Sequence, residues 1–579
     1  MRWQGPTAPD LGRDCSLRTT VGVKAIFKGA GAACAAALLL AAGTPSAVWG
    51  QSQAQAHGQA QAQAAPARAS LNPAPPRRAD EGFGPYPLMV VRGAMLIDGT
   101  GAPPMGPVDI VIENDKITDI IQAGWPGLPE REGRPPLNAA HEIDARGMYV
   151  MPGFVDAHAH GGSPQKAPDL EYVYKLWLAH GVTTVRGVSL APHDIAVSEK
   201  ARSARGEIVA PRIYNYQTIG SGWSRGRIRN PEMAREWVRW GAANGVDGIK
   251  FFLRGDETPE VVLAAIDEAK KNGMGTVAHI AQPGVAQLNA EQLAAAGLGT
   301  ITHFYGHFES LLGGRTIQDY PTDYNFYDEQ KRFGEAAEIW DEVEPGSPQW
   351  YAYLEAQKEA GVVFDPTMTI YAASRDLMKA RNAPWHQTYT LPTLADYFQS
   401  TRDNHGSYFF DWTTSNEVAW RRFYERFMRL VNDYKKVGGR VTVGSDSGFI
   451  WKLYGFGYIE ELELLQEAGF HPLEIVRAAT MDGAMTLAEP SGKAPTFGIV
   501  RPGMSADLVI TTENPLANFK TLYGTGHERL SPENRIETVG GVRWTVARGV
   551  AYDAPALLAD VRAMVDRQKA ERGAAPAGR

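Results

Sequence analysis

Cysteine is nearly missing from this chain: its 579 residues hold two, Cys15 and Cys34, both within the first fifty positions. A disulfide framework, a thiol nucleophile and a sulfur-ligated metal are thereby excluded from everything downstream. Cys34 also precedes the leucines of the early apolar run, the wrong order for a lipid-attachment cysteine. A basic excess is absent as well. The 58 Lys and Arg against 65 Asp and Glu leave a net charge of -7, without the global electrostatic footprint of a nucleic-acid binder. Beyond residue 50 no apolar run is long enough to cross a bilayer. What is present is an ordinary globular composition, 44% hydrophobic and 21% charged, able to bury a large core.

The two ends differ from the middle. Residues 1–50 read as a secretory signal: Arg13, Arg18, Lys24 and Lys28 precede an uncharged run from Gly29 to Ala42, and small residues follow. Cleavage near Gly50 would give a periplasmic or secreted protein; an uncleaved segment would be its membrane anchor. Residues 51–85, Gln/Ala-rich and then Pro/Arg-rich, read as a disordered linker. Residues 86–151 carry short-period strands parted by Asp98-Gly99 and Asn114-Asp115 turns, too few to close a core. Such strands return at 498–553, so the expectation is a β-sandwich split between both ends of the chain. Residues 554–579 read as an exposed helix and a frayed tail.

From 152 to 497 the rhythm is helix, glycine, strand. It recurs at Gly181, Gly245, Gly273, Gly297, Gly361 and Gly438-Gly439. A glycine in that place ends a helix in a left-handed residue. One helix is bracketed at both ends, with Thr258 as cap, Pro259 in the first turn and Gly273 as stop. Six junctions, with strands near Phe154 and Ile213, make eight parallel strands. The fold class predicted is α/β: a (β/α)8 TIM barrel beside the split sandwich. An aromatic-rich insertion at about 305–440 includes Tyr320, Tyr324, Phe326, Tyr327, Trp340, Trp350 and Tyr351. It reads either as a helical subdomain with its own core or as a lid over the barrel mouth.

The chemistry centres on Pro152-Gly-Phe-Val-Asp-Ala-His158-Ala-His160. Positions i and i+2 of a strand share a face, so these histidines form a chelating pair at a strand tip. Counting from the junction glycines, four other strands end at Lys250, His279, His303 and Asp446. Singly, each has a bland account: a core histidine, a turn aspartate, a lysine snorkelling to water. Together at the C-terminal rim of one barrel they make a metal-ligating set. Lys250 fits because burial beside cations favours its neutral amine. That amine adds carbon dioxide to give a carbamate, whose two oxygens can bridge two metals.

These motifs, with Gly498-Ile-Val-Arg-Pro-Gly-Met-Ser-Ala-Asp-Leu-Val-Ile, resemble the amidohydrolase superfamily over about residues 88–552. The form is the two-metal, carboxylated-lysine one, nearest its imidazolonepropionase-like and Xaa-Pro dipeptidase-like branch. The resemblance implies His158, His160 and Asp446 on one divalent metal, with zinc expected. It puts His279 and His303 on a second metal and carboxylated Lys250 between the two. Asp446 then serves as general base and acid in hydrolysis of a carbon–nitrogen bond in a small-molecule amide or peptide. A dipeptidase or N-acyl amino acid hydrolase is the expectation. The alternatives are a mononuclear cyclic amidohydrolase or deaminase and, from another class, a non-catalytic envelope binding protein. His303 and Asp446 are 143 positions apart, which exceeds the usual family spacing, so substrate specificity does not transfer. In the loop Ser221–Arg229, residues Arg225, Arg227 and Arg229 read as a clamp for a substrate carboxylate or as a solvated basic loop. His307 reads as a substrate contact or a solvent-facing residue. A homo-oligomer is left open.

Overall fold

A computed structural model describes residues 70–574 except 133–137, 140, 286, 313–336, 338–339, 402–408 and 410–411. The expected signal, the linker up to residue 69, and Tyr320, Tyr324, Phe326 and Tyr327 lie outside the described residues. No described helix is long and apolar enough to cross a membrane.

Five short strands come first: β1 (Met89–Leu96), β2 (Met105–Glu113), β3 (Lys116–Gln122), β4 (His141–Asp144) and β5 (Tyr149–Pro152). Eight more follow: β6 (Phe154–Ala159), β7 (Val182–Val188), β8 (Arg212–Thr218), β9 (Gly248–Phe251), β10 (Gly275–His279), β11 (Thr300–Thr302), β12 (Val363–Asp365) and β13 (Arg440–Val441). The chain closes with β14 (Leu508–Thr511), β15 (His527–Leu530), β16 (Ile536–Val539), β17 (Val542–Ala547) and β18 (Val550–Asp553).

Strands β6 to β13 form one sheet in sequence order, each parallel to the next. Every residue of β6 and β7 is buried, the two-sided burial that a parallel sheet wrapped by helices demands. The sheet curls until its edges meet. Ala157 N donates to Val443 O and Asp446 N to His158 O, both at 2.8 Å, so β6 lies against the segment following β13. The glycines preceding the strands (Gly181, Gly245, Gly273, Gly297, Gly361 and Gly438) all have φ between 65° and 93°, as helix-ending residues should.

Both ends of the chain meet in a second sheet, ordered β18-β17-β14-β5-β1-β2-β3 with β4 beside β1. The joint is the antiparallel pair β14–β5. The pairing is that of one mixed sheet, and its own residues, among them Met89, Val91, Ile110, Val150, Leu508 and Val546, make a separate apolar cluster. Among the described residues β15 and β16 pair only with each other.

Three expectations change. Residues 70–85 are not a loose linker: Leu71 and Ala74 are buried, Asn72 bridges Asp169, and Phe83 pairs with Ala551. The C-terminal helix Ala554–Ala574 is not simply exposed, because Leu557, Leu558, Val561 and Val565 are buried along one stripe. Its Asp560 and Glu81 meet Lys175 Nζ, each at 2.6 Å. The described residues of the aromatic insertion do not form a separate core. Phe304, Trp340, Trp420 and Phe423 stack within 4.1–5.8 Å of one another along Phe423 and Phe304, and they belong to the same apolar cluster as the barrel strands.

Candidate metal centre

Six side chains at the C-terminal ends of the curled sheet turn inward. His158 lies in β6 and His160 just past it, Lys250 lies in β9, His279 ends β10, and His303 and Asp446 follow β11 and β13. Asp446 is the hub. Its Oδ1 is 3.2 Å from His160 Nε2 and 3.8 Å from His158 Nε2, and its Oδ2 is 3.8 Å from His303 Nε2. Lys250 Nζ stands 3.5 Å from His158 Nε2. The His279 and His303 rings pack edge to face at 4.7 Å. His158, His303 and Asp446 hold ligand atoms within 4.8 Å of one another, the arrangement a metal ion requires.

The backbone is shaped for this convergence. His303 and Asp446 sit at φ 67° and 48°, in the left-handed region that side chains with a Cβ seldom adopt. A Cβ on Gly444 would strike Asp365 Oδ1 and lie 2.7 Å from His158 Cβ, so the glycine of Gly-Ser-Asp lets two strand ends close up.

Groups behind the rim fix which ring nitrogen faces it. His158 Nδ1 is 3.3 Å from Asp365 Oδ2, which also accepts from Arg186 Nη2 at 3.0 Å. An ionised carboxylate only accepts, so His158 carries its proton on Nδ1 and leaves Nε2 free for a metal. His303 Nδ1 is 2.5 Å from Thr367 Oγ1, whose own proton goes to Pro366 O at 2.8 Å. By the same logic His303 carries its proton on Nδ1, and its Nε2 is unprotonated. Asp156, which accepts from the backbone of His158 and from Ser445 N and Oγ, ties β6 to the Asp446 segment.

Burial dominates the electrostatics. It pushes the carboxyls of Asp156 and Asp365 up to about 7 and about 6, against hydrogen bonds from Ser445 and the charge of Arg186 respectively. It draws Lys250 down to about 8, which raises the share of neutral amine near neutral pH far above that of an ordinary lysine. His158 falls well below the usual histidine range through burial and then the Lys250 charge, and burial lowers His160 too. For Asp446 burial pulls upward, yet the hydrogen bond and charge of His160 hold it below the ordinary carboxylate value. The result is neutral imidazoles around an anion, a donor set matched to a divalent cation.

The residues expected to contact substrate are engaged by other partners. Arg225 is 60% exposed and pairs with Glu236 at 2.7 Å. Arg227, 71% exposed, is bound to Asp256 and lines a cavity of about 770 Å³ with Trp223, Arg254 and Glu257. Each guanidinium already has its carboxylate, so the pair is not poised as a clamp. His307 faces neither substrate nor solvent: it is buried, 2.5 Å from Tyr353 Oη and against the Phe364 ring, and burial lowers it to about 3. Sequence reasoning passed over Asp365, Arg186 and Thr367. Asp365 was within reach, since it ends the strand that follows Gly361.

Known proteins bear on this geometry in three ways. A Bacillus subtilis adenine deaminase is 39% identical over 100 residues, a stretch covering 15% of this chain and 15% of that protein. A solved Xaa-Pro dipeptidase with methionine bound in its active site is similar over 80% of this chain and 100% of its own, at 18% identity and TM-score 0.52. A bottromycin amidohydrolase is similar over 83% and 90%, at 19% identity and TM-score 0.56. These two likenesses are of fold. The amidohydrolase family itself matches residues 149–527, from the strand before the histidine pair to beyond β14. The chain belongs to the amidohydrolase family.

Proposed function

We propose that this protein is a metal-dependent hydrolase of carbon–nitrogen bonds, with two divalent cations as its cofactor. The observation that carries the reading is the convergence of His158, His160, Lys250, His279, His303 and Asp446 at one end of the curled sheet, with Nε2 of His158 and His303 unprotonated. His158, His160 and Asp446 would hold one cation and His279 and His303 the other, with zinc the first metal to test. Lys250 would bridge them after its neutral amine adds carbon dioxide and loses a proton to become a carbamate. When bound, such ions supply a hydroxide at neutral pH and polarise the carbonyl under attack. The protein's own part is proton traffic and alignment. An Asp446 oxygen accepts the proton of the attacking water and returns it to the leaving nitrogen. Asp365 and Thr367 keep two imidazoles in the right tautomer throughout.

The substrate we favour is a dipeptide or an N-acyl amino acid; the likeness in fold to a dipeptidase supports it without assigning it. The short matches to adenine deaminases favour a second reading, hydrolytic deamination of an aminopurine. A hydrolysis screen of dipeptides, N-acyl amino acids and adenine with metal-loaded protein separates the two. Metal analysis tests the site directly: two ions per chain in the wild type, about one in Lys250→Ala, and two regained by neither salt nor excess metal. Equal metal content in both proteins would remove the bridging lysine. We also read the curled sheet as the closed (β/α)8 barrel of the family and the mixed sheet as its split sandwich; the hydrogen bonds between β6 and the segment after β13 support the former. Export to the periplasm or medium remains our reading of residues 1–50, and N-terminal sequencing of the mature protein tests it.

A further inference from the structure

Lys166 lies six residues past His160, in the loop that leaves β6, and the chemistry above gives it no task. Its side chain is buried, yet among the described residues no carboxylate pairs with it. Nζ sits 3.5 Å from the centre of the Phe449 ring and 5.6 Å from that of Tyr397, and makes one long hydrogen bond of 3.4 Å to Gly448 O. Three other lysines are buried among the described residues. Lys175 meets three carboxylates and Lys452 meets Glu460, while Lys250 belongs to the histidine cluster itself.

Phe449 also connects Lys166 to the metal centre. Its ring is 5.6 Å from that of His160 and 3.5 Å from Lys166 Nζ, so the ammonium lies at most about 9 Å from the histidine ring. The backbone here is fixed by contacts that leave the ammonium unused. Lys166 N donates to Ser163 O at 3.1 Å, and Lys166 O accepts from Thr393 Oγ1 at 2.8 Å. The Asp446 carboxylate favours the charge, but from beyond ion-pair distance. A desolvated ammonium without an anion in contact is costly, and aromatic faces offset only part of that cost. A site that keeps one beside its reaction centre is built for an anion arriving with the ligand. Burial draws Lys166 down to about 7, and an incoming carboxylate would restore its charge.

We infer that Lys166 is the specificity-determining residue of this site, its ammonium receiving the carboxylate of an anionic amide substrate whose scissile bond lies over the histidine cluster. The inference rests on the hydrolase reading and narrows it to substrates with a free carboxylate. The distance suits that class, since a dipeptide extends roughly 3.6 Å per residue. It also takes over the role that the sequence assigned to Arg225 and Arg227.

The test pairs N-acetyl-L-phenylalanine with its uncharged carboxamide on metal-loaded wild type, Lys166→Met and Lys166→Arg. In Lys166→Met, KM for the acid should rise roughly 10- to 100-fold, the worth of one charge-assisted hydrogen bond. KM for the amide should stay within about twofold of the wild type's. Lys166→Arg should recover most of the acid's affinity, and metal content should match in all three proteins. Parallel changes for acid and amide, or an unchanged acid KM, would overturn the inference. Should the wild type hydrolyse neither compound, the hydrolase reading is at fault and Lys166 is read separately, by calorimetric binding of the same pair. A preference for the acid that vanishes in Lys166→Met supports the anion site; no preference, or one that survives, refutes it.

Discussion

Asp365 touches no substrate, yet its replacement should reach the metal. Both of its hydrogen bonds use one oxygen: Oδ2 accepts from Arg186 Nη2 at 3.0 Å and from His158 Nδ1 at 3.3 Å, while Oδ1 meets no donor among the described residues. In Asp365→Asn the amide oxygen can occupy the Oδ2 place, keeping both contacts in weaker, neutral form. The amide nitrogen then falls in the Oδ1 place, against Gly444, where its hydrogens find no acceptor. The electrostatic loss is small. With Asp365 titrating at about 6, the ionised form is favoured at pH 7 by one unit, about 1.4 kcal/mol. The stranded donors cost about 1–3 kcal/mol more. A folded variant, about 2–4 kcal/mol less stable, is expected in denaturant titration of metal-free protein. Its affinity for metal should fall by about 10- to 100-fold, as for other groups that orient a ligating histidine. Competition with a chelator of known affinity measures that drop. Asp365→Ala removes the only carboxylate paired with buried Arg186 among the described residues and should cost about 3–5 kcal/mol. An Asn variant that binds metal within threefold of wild type would refute the tautomer argument, whatever its stability.

Two further predictions concern the frame around the site. Lys175 holds Glu81, Glu171 and Asp560 together, each at 2.6–2.7 Å, and so clasps the segment before β1 and the C-terminal helix to the helix Leu170–Ala179. Lys175→Met leaves those carboxylates to repel one another. About 3 kcal/mol should be lost, at the low end for a broken buried pair because Asp560 is 37% exposed and can turn to water. Denaturant unfolding reads the loss and limited proteolysis within 554–574 reads the detachment; an unchanged midpoint would deny the clasp. His180 is fully buried against Phe456, donates Nδ1 to Leu176 O, and is lowered by burial to about 4. A histidine with a lower pKa folded than unfolded takes up protons preferentially in the unfolded chain. Its contribution is therefore whole above about 6.5 and lost as pH falls toward 4, up to about 3 kcal/mol over that window. His180→Leu should flatten that limb of the stability curve, and a limb of unchanged steepness would exonerate His180.

The frame and the metal rim were legible for the same reason. Each junction glycine marks where a helix stops, the strands that follow are short, and the tip of a short strand is only a few residues from its start. Lys250, His279, His303 and Asp446 are each found by one count from one landmark, and β6 supplies its two histidines in a single motif. The stripe Leu557, Leu558, Val561 and Val565 was missed, the helix being read as exposed, although helical spacing puts those positions on one face. Charges were different. Arg225 and Arg227 looked like an anion clamp because the sequence shows a cation without showing the carboxylate that already holds it. Lys166 looked like nothing, being a lysine in a loop, because its lack of a partner is visible only after folding. His307 was misjudged similarly: nearness to His303 along the chain says nothing once a helical turn carries it toward Tyr353. A ligand type at a strand tip is a property of one position and can be read there. Whether a charge is satisfied is a relation between positions that no period or spacing links. At this site that relation separates spent arginines from an available lysine, which makes Lys166, the least conspicuous of the three cations, the one on which substrate choice should turn.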